Sequence, residues 1–332
     1  MNATQHNPPG DIRIGLWGPP GSGKTTFLGA LYIAATRHVG PYKWFMTGMD
    51  DPSEKFLMES VRLMTHERAF PVASEAPARL GFRFTGHRMV KKRNAVGMPV
   101  ERSEVVEFVL DVLDVPGRLF SGTGAGAAAD PDFSPGGLAS ASPRNHEEEQ
   151  LLDHLLHCQG IVYLFDPKRD KESRDAYYFF QPVLARLARH VLTTHRQVNG
   201  HLPQRVAVCV NKFDEEDVYT EAKRYVVQDA HRPHMPRVPD ARAAEFFQRL
   251  CADPRSNSDL VDLALRNHFR ELNYFVTSSI GFYLADGRFR PTGERNIEVK
   301  DGKERILGQV HPINVLEPLL WLHDVVRKQE KW

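Results

Sequence analysis

Cysteine is scarce: the 332-residue chain has three, Cys158, Cys209 and Cys251, forming neither a CxxC pair nor an even set. That spacing excludes a disulfide framework and a cysteine-rich structural metal site, and it fits a reducing compartment. An excess of one charge is lacking too, with 43 Lys and Arg against 42 Asp and Glu and a net charge of +1. No global attraction to nucleic acid or an anionic membrane surface is expected. No apolar run approaches the roughly 18 residues of a spanning helix. The start, MNATQHNPPGDIR, lacks the basic-then-apolar order of a secretory signal. A cytoplasmic protein without a membrane span is therefore expected, with residues 1–10 as a disordered leader. With 41% hydrophobic and 10% aromatic residues, the chain can bury a substantial core.

Hydrophobic patterning places strands and helices in alternation. Residues 11–17 predict a short buried strand and 25–36 a helix, separated by a glycine-rich turn. A helix is expected at 52–64, followed by a mobile loop, HERAFPVASEAP. Residues 79–89 and 104–113 alternate as the two strands of an antiparallel hairpin. Residues 121–145 collapse to Gly, Ala, Ser, Pro and Asp, a composition that does not order itself without a partner or ligand. Further helices are predicted at 146–157 and 177–192, and buried strands at 160–165, 205–210 and 273–276. A polar helical insertion is expected over 215–272, an appended hairpin over 281–310 from its ADG and KDG turns, and an amphipathic helix over 313–328. Alternating strands and helices with no repeat or clear linker argue for one elaborated α/β domain, 11–332, with a mainly parallel sheet covered on both faces.

Four short motifs carry the chemistry. Gly18-Pro-Pro-Gly-Ser-Gly-Lys-Thr25 satisfies GxxxxGK[ST] with a strand before and a helix after. In such a loop the backbone N–H groups of Gly18, Gly21, Ser22, Gly23, Lys24, Thr25 and Thr26 would cradle phosphate oxygens. Lys24 would neutralise their charge and the Thr25 hydroxyl would ligate Mg²⁺. Asp114-Val-Pro-Gly117 fits DxxG, with Asp114 reaching the metal and the Gly117 N–H sensing the terminal phosphate; Asp111 competes for the carboxylate role but lacks the glycine three residues on. Asn211-Lys-Phe-Asp214 closes a strand. The Asp214 carboxylate can accept from N1–H and the exocyclic amine of guanine, a donor pair that adenine does not present. Asn211 would hold the imidazole edge and buttress the loop, and the Lys212 stem would cover the base. Thr277-Ser278-Ser279, after the last strand, offers backbone N–H groups to the guanine oxygen.

In this order the motifs resemble those of P-loop GTPases of the Ras-like, translation-factor-related class, over about residues 11–285. The FP-x-AS stretch, GIVYLFDP and NVLEPLLWL are similar to bacterial double-GTPase-type small GTPase-like proteins of conflict or signalling systems. The resemblance implies a three-layer P-loop NTPase fold, GTP/GDP and Mg²⁺ as ligands, and a switch whose output is contact with a protein effector or regulator. It also implies a switch-one hydroxyl on Mg²⁺; Thr47, Thr65 and Ser74 are available and Ser74 is favoured. After DxxG many members carry a water-positioning glutamine, whereas this chain has Arg118, so slow hydrolysis is expected. A static GTP/GDP-binding module and a P-loop ATPase are the alternatives. A homodimer supplying a missing group in trans stays open. The basic residues at 91–93 and 224–242 are interleaved with acids and prolines and lack aromatic platforms, so no nucleic-acid partner is expected.

Overall fold

The structure is a computed structural model that describes residues 12–19, 21–72, 78–93, 99–114, 143–228, 235–290 and 295–329. The leader, Ser74, Gly117, Arg118 and residues 115–142 of the Gly/Ala-rich segment lie outside the described residues.

The chain begins with β1 (Arg13–Trp17) and α1 (Lys24–Arg37), then β2 (Lys43–Gly48) and α2 (Asp51–Arg62). Helix α2 starts where the sequence offers a cap. Asp50 accepts from the Ser53 N–H at 2.9 Å, Pro52 sits in the first turn, and Asp51 and Glu54 lie at the positive end of the helix dipole. A π-helical turn, Leu63–Glu67, extends it. The hairpin follows as β3 (Ala78–Arg93) and β4 (Pro99–Asp114), paired antiparallel with Arg79 opposite Leu113 and Met89 opposite Ser103. Next come α3 (Pro143–Leu156), β5 (Gly160–Phe165), α4 (Pro167–Ser173), α5 (Ala176–Thr193) and β6 (Arg205–Val210). The insertion holds α6 (Glu216–Ala222), a ribbon of β7 (Val227–Gln228) with β8 (Pro236–Arg237), α7 (Asp240–Cys251) and α8 (Ser258–His268). Strand β9 (Leu272–Val276) precedes two further ribbons, β10 (Leu284–Ala285) with β11 (Arg288–Phe289) and β12 (Ile297–Lys300) with β13 (Lys303–Ile306). Helix α9 (Glu317–Gln329) completes the described chain.

One seven-stranded sheet, ordered β2-β3-β4-β1-β5-β6-β9, organises all of this. Only β3 runs against the other six strands. Strand β2 is an addition to the expected set: Trp44 and Met46 are buried while Lys43, Phe45 and Thr47 are exposed, so its three alternations pair it with β3 at the sheet edge. Two buried cores flank the sheet. On one face α1, α2 and α9 cover it; on the other lie α3, α5, α6, α7 and α8. Leu319 and Leu322 of α9 are fully buried, each stabilising by about 2 kcal/mol, so this helix is core rather than a free groove-binding face. The region expected to form one hairpin forms two, each turning on an Asp-Gly pair with both residues at positive φ, 53° at Asp286 and Asp301 and 72° at Gly287 and Gly302. Both are type I′ turns, which match strand twist. The architecture is that of a three-layer α/β P-loop NTPase, with β-hairpin and helical insertions. Among the described residues no helix is long and apolar enough to cross a membrane, and all three cysteines are buried and unbridged.

Candidate functional site

Three neighbouring parallel strands, β1, β5 and β6, run to the same edge of the sheet: Phe165 and Val210, the last residues of β5 and β6, pair with each other, and β1 stops two residues short, with Trp17 opposite Tyr163. Their carboxyl ends present the 18–25 loop, Asp166 and Asn211 side by side, the place where open α/β sheets take ligands. The loop turns into α1 through Gly23, whose φ of 86° caps the helix in the left-handed region. A side chain there would be strained and its Cβ would press 3.0 Å from Asn211 Nδ2. Lys24 opens α1 and folds back, with Nζ donating to the carbonyls of Gly18 and Pro19 at 3.0 Å each. Thr25 and Thr26 are half-buried on the same first turn.

Asn211 lies 189 positions from the loop in sequence but binds it directly. Its Nδ2 donates to the Ser22 carbonyl at 2.7 Å in a buried contact, while its Oδ1 accepts from the Thr277 hydroxyl at 3.3 Å. The Thr277 N–H continues the sheet to Val210 O at 2.7 Å, and the Phe213 N–H donates to Thr277 O at 3.0 Å. Asp214 is buried and accepts from the Ser278 hydroxyl. Burial pushes its carboxyl up to about 6, against the lowering effect of Ser278. The buried Ser279 hydroxyl has no partner among the described residues. The NKFD and TSS segments are therefore one hydrogen-bonded unit around a buried carboxylate, joined to the glycine loop by the Asn211 amide.

Lys212 is anchored at its charged tip. It sits at a φ of 57°, and its Nζ lies 2.6 Å from Asp166 Oδ2, an ion pair rather than an aligned hydrogen bond. Asp166 is buried, and its other oxygen caps α4 by accepting from the Lys168 and Arg169 N–H groups at 3.1 Å each. Arg169 follows in the same corner, next to the loop at Gly21. Neither Asp166 nor Arg169 was singled out from sequence. The Asp-Pro after β5 is a legible helix start, but only the sheet register carries it to the loop.

Asp114 ends β4, its backbone opposite Ala78. Asp111, its competitor, is committed elsewhere: Arg79 Nη2 donates at 2.9 Å, Arg13 lies 3.6 Å away, and His154 Nε2 of α3 donates to the Asp111 carbonyl at 2.8 Å. Burial alone would raise the Asp111 carboxyl, but the Arg79 guanidinium, with His154 and Arg13, outweighs it and holds it below the ordinary value. Of the switch-one alternatives, the Thr65 hydroxyl donates to Val61 O at 2.6 Å and Thr47 is exposed on β2.

The last strand's loop is clasped from behind by the chain's end. Ser278 and Ile313 exchange backbone hydrogen bonds at 3.0 and 2.8 Å, the His311 N–H donates to Ile280 O at 2.9 Å, and Asn314 Nδ2 donates to Val276 O at 3.1 Å. Arg295 pairs with Glu215, beside Asp214, at 2.7 Å. Arg295 belongs to the region expected as an appended hairpin, and Ile313 and Asn314 to the start of the expected C-terminal helix.

A nucleotide fits these groups. The loop offers a lysine and a helix start for phosphates, Asp214 a carboxylate for a purine with two adjacent donors. Among the described residues no cluster of three His, Cys, Asp or Glu side chains is present. Magnesium beside a nucleotide uses one or two protein oxygens plus phosphates, so Thr25 and Asp114 are donors of the right kind.

No protein-family model and no curated protein sequence matches the chain. Solved structures do. The chain is similar to the signal recognition particle receptor SRb-GTP/SRX complex from Chaetomium thermophilum, at 14% identity over 83% of this chain and 94% of that one, with a TM-score of 0.34. It is similar also to the S. cerevisiae Ski7 GTPase-like domain bound to GTP, at 16% identity over 85% of this chain and 47% of that one, TM-score 0.33. The same domain bound to GDP and inorganic phosphate overlaps at 13% identity over 81% and 43%, TM-score 0.33. Overlap at this level carries no functional argument, which rests on the residues above.

Proposed function

We propose that this protein is a Mg²⁺-dependent guanine-nucleotide switch with slow GTP hydrolysis and a protein contact as output. The observation that supports it most is the Asn211–Ser22 contact, which couples a base-reading segment to a phosphate-binding loop. In this reading the Lys24 ammonium and the N–H groups of Gly18 and of residues 21–26 bind phosphate, Thr25 and Asp114 hold the metal, and Asp214 accepts from guanine. Bound Mg²⁺ would spread the charge of the transferring phosphoryl group. Ser74 and Gly117 would order around the terminal phosphate and relax once it leaves, shifting the surface that an effector or regulator reads. Arg118 in place of a water-positioning glutamine favours binding over turnover, so a static GTP/GDP module is the nearest rival, and a P-loop ATPase a remoter one.

A nucleotide titration on wild type and Asp214→Asn tests the base assignment. Wild type should prefer GDP over ADP by about 100-fold or more, since an unmatched buried carboxylate costs about 3 kcal/mol. The substitution should erase that preference. Equal competition by ATP, or an unchanged preference in Asp214→Asn, would show that Asp214 does not read the base. Phosphate release measured in parallel separates a switch from the static module.

Acid should weaken the guanine complex. The folded Asp214 titrates near 6, above an unfolded Asp, so protonation stabilises the ligand-free fold as pH falls through that range. Guanine requires the ionised form, hence GDP affinity should drop about tenfold per unit below pH 6 while the ligand-free melting temperature does not fall on this group's account. Flat affinity between pH 7 and 5 would remove Asp214 from the base contact.

A further inference from the structure

The β5–α4 corner, Phe165-Asp166-Pro167-Lys168-Arg169, belongs to none of the four motifs, yet it touches two of them. Asp166 caps α4 with one oxygen and pairs with Lys212 of NKFD through the other. Arg169 is held from two sides. Its Nε and Nη2 donate to Asp175 at 3.1 and 2.6 Å, and its guanidinium carbon lies 5.1 Å above the Phe179 ring. This uses one edge of the guanidinium fork and one face of its plane. Nη1 has no partner among the described residues, and a Cβ placed on Gly21 would lie 3.7 Å from it.

A surface Arg–Asp pair by itself contributes little, about 0–1 kcal/mol. That account explains the Asp175 fork but not the position of the remaining donor. Gly21 is the fourth residue of the eight-residue loop GPPGSGKT, so a cation against it stands beside the phosphates the loop would enclose. The side chain is 27% exposed, enough for Nη1 to be accessible to a ligand while the stem and plane stay fixed. A guanidinium restrained in advance loses little freedom on meeting a phosphate oxygen, and its planar donors suit that oxygen better than an ammonium would.

Resting on the nucleotide reading above, we propose that Arg169 is an anion contact of the same site. Its Nη1 meets the polyphosphate from the Gly21 side of the loop, with Asp175 and Phe179 positioning it. Asp166 holds Lys212 at the base end, so one short corner braces the nucleotide at two points. Lys24 and Arg169 then supply charge from different sides of the loop.

Arg169→Gln and Arg169→Lys, compared with wild type by GDP titration at 50 and 300 mM KCl, test this. Arg169→Gln should weaken GDP about tenfold at low salt, flatten the salt dependence of affinity, and keep the preference for GDP over ADP. Arg169→Lys should recover part of the loss, because the cation returns without the Asp175 fork. Unchanged affinity and salt dependence in Arg169→Gln would overturn the proposal while leaving the guanine site standing. Loss of base preference together with affinity, or no recovery in a folded Arg169→Lys, would mark Arg169 as a scaffold residue and also overturn it. Failure of wild type itself to bind GDP would remove the nucleotide reading first.

Discussion

Lys24→Ala is expected to weaken GDP and GTP by at least about 100-fold, equivalent to about 2.7 kcal/mol, while the protein stays folded. In the structure Nζ donates to the carbonyls of Gly18 and Pro19 in its own loop. Each such bond is worth about 1 kcal/mol net, so the melting temperature should fall by only a few degrees. Against phosphate the same ammonium makes charge-assisted contacts of roughly twice that strength, and its loss leaves anionic oxygens facing a loop none of whose remaining side chains is cationic. Fluorescence titration with a labelled GDP, beside a thermal melt, reads both effects. Wild-type affinity in a folded Lys24→Ala protein would place the phosphates elsewhere and sink the loop assignment.

Gly281→Ala should be the most damaging single-methyl change, at about 3–5 kcal/mol of stability. Gly281 has a φ of 70°, a region costly for alanine, and a Cβ there would sit 2.1 Å from the His311 carbonyl oxygen. Neither side can yield cheaply, because both belong to backbone. His311 is locked by its N–H bond to Ile280, and the Gly281 N–H donates to Ser278 Oγ at 2.8 Å. Since that same hydroxyl donates to Asp214, opening the clasp should loosen the Asp214 carboxylate too. Urea unfolding should show the lost stability, and GDP affinity should fall although Gly281 touches no phosphate. A change below about 1 kcal/mol with unaltered affinity would mean the C-terminal clasp is not what holds the base loop.

Parts of this fold are legible because their causes are local. The strands 160–165 and 205–210 were readable as continuous apolar runs, and they match β5 and β6 because strands buried on both faces need no polar alternation. Helix α2 was legible over 52–64, although its Asp50 cap was not, and the Asp-Gly turns were legible by residues that tolerate positive φ. Strand β2 was not legible. KWFMTG offers only three alternations, and its pairing partner lies some forty residues on, in β3. The ribbon of β10 and β11 in 281–310 escaped for a related reason, as strands of two residues leave no periodicity to read.

The candidate site divides along the same line. Glycine loop, DVPG, NKFD and TSS are recognisable because each is a short run whose backbone and donor chemistry must be contiguous. Asp166, Arg169, Gly281 and Asn314 carry no such signature: an Asp-Pro start, an arginine in a polar helix, a glycine and an asparagine occur in any chain. What makes them matter is that β1, β5 and β6 run side by side to the same edge of the sheet and that residues 311–314 return to the loop after β9.

By itself, then, the sequence determined the fold class, the order of the elements and the residue types able to meet phosphate and guanine, because propensity, periodicity and donor chemistry act over a few neighbouring residues. Tertiary structure alone decided that Asn211 reaches Ser22, that Lys212 pairs with Asp166, and that the chain's end braces Asp214. Hydrogen bonds and ion pairs act over about 3 Å, and only sheet register and packing bring groups far apart in sequence to that distance.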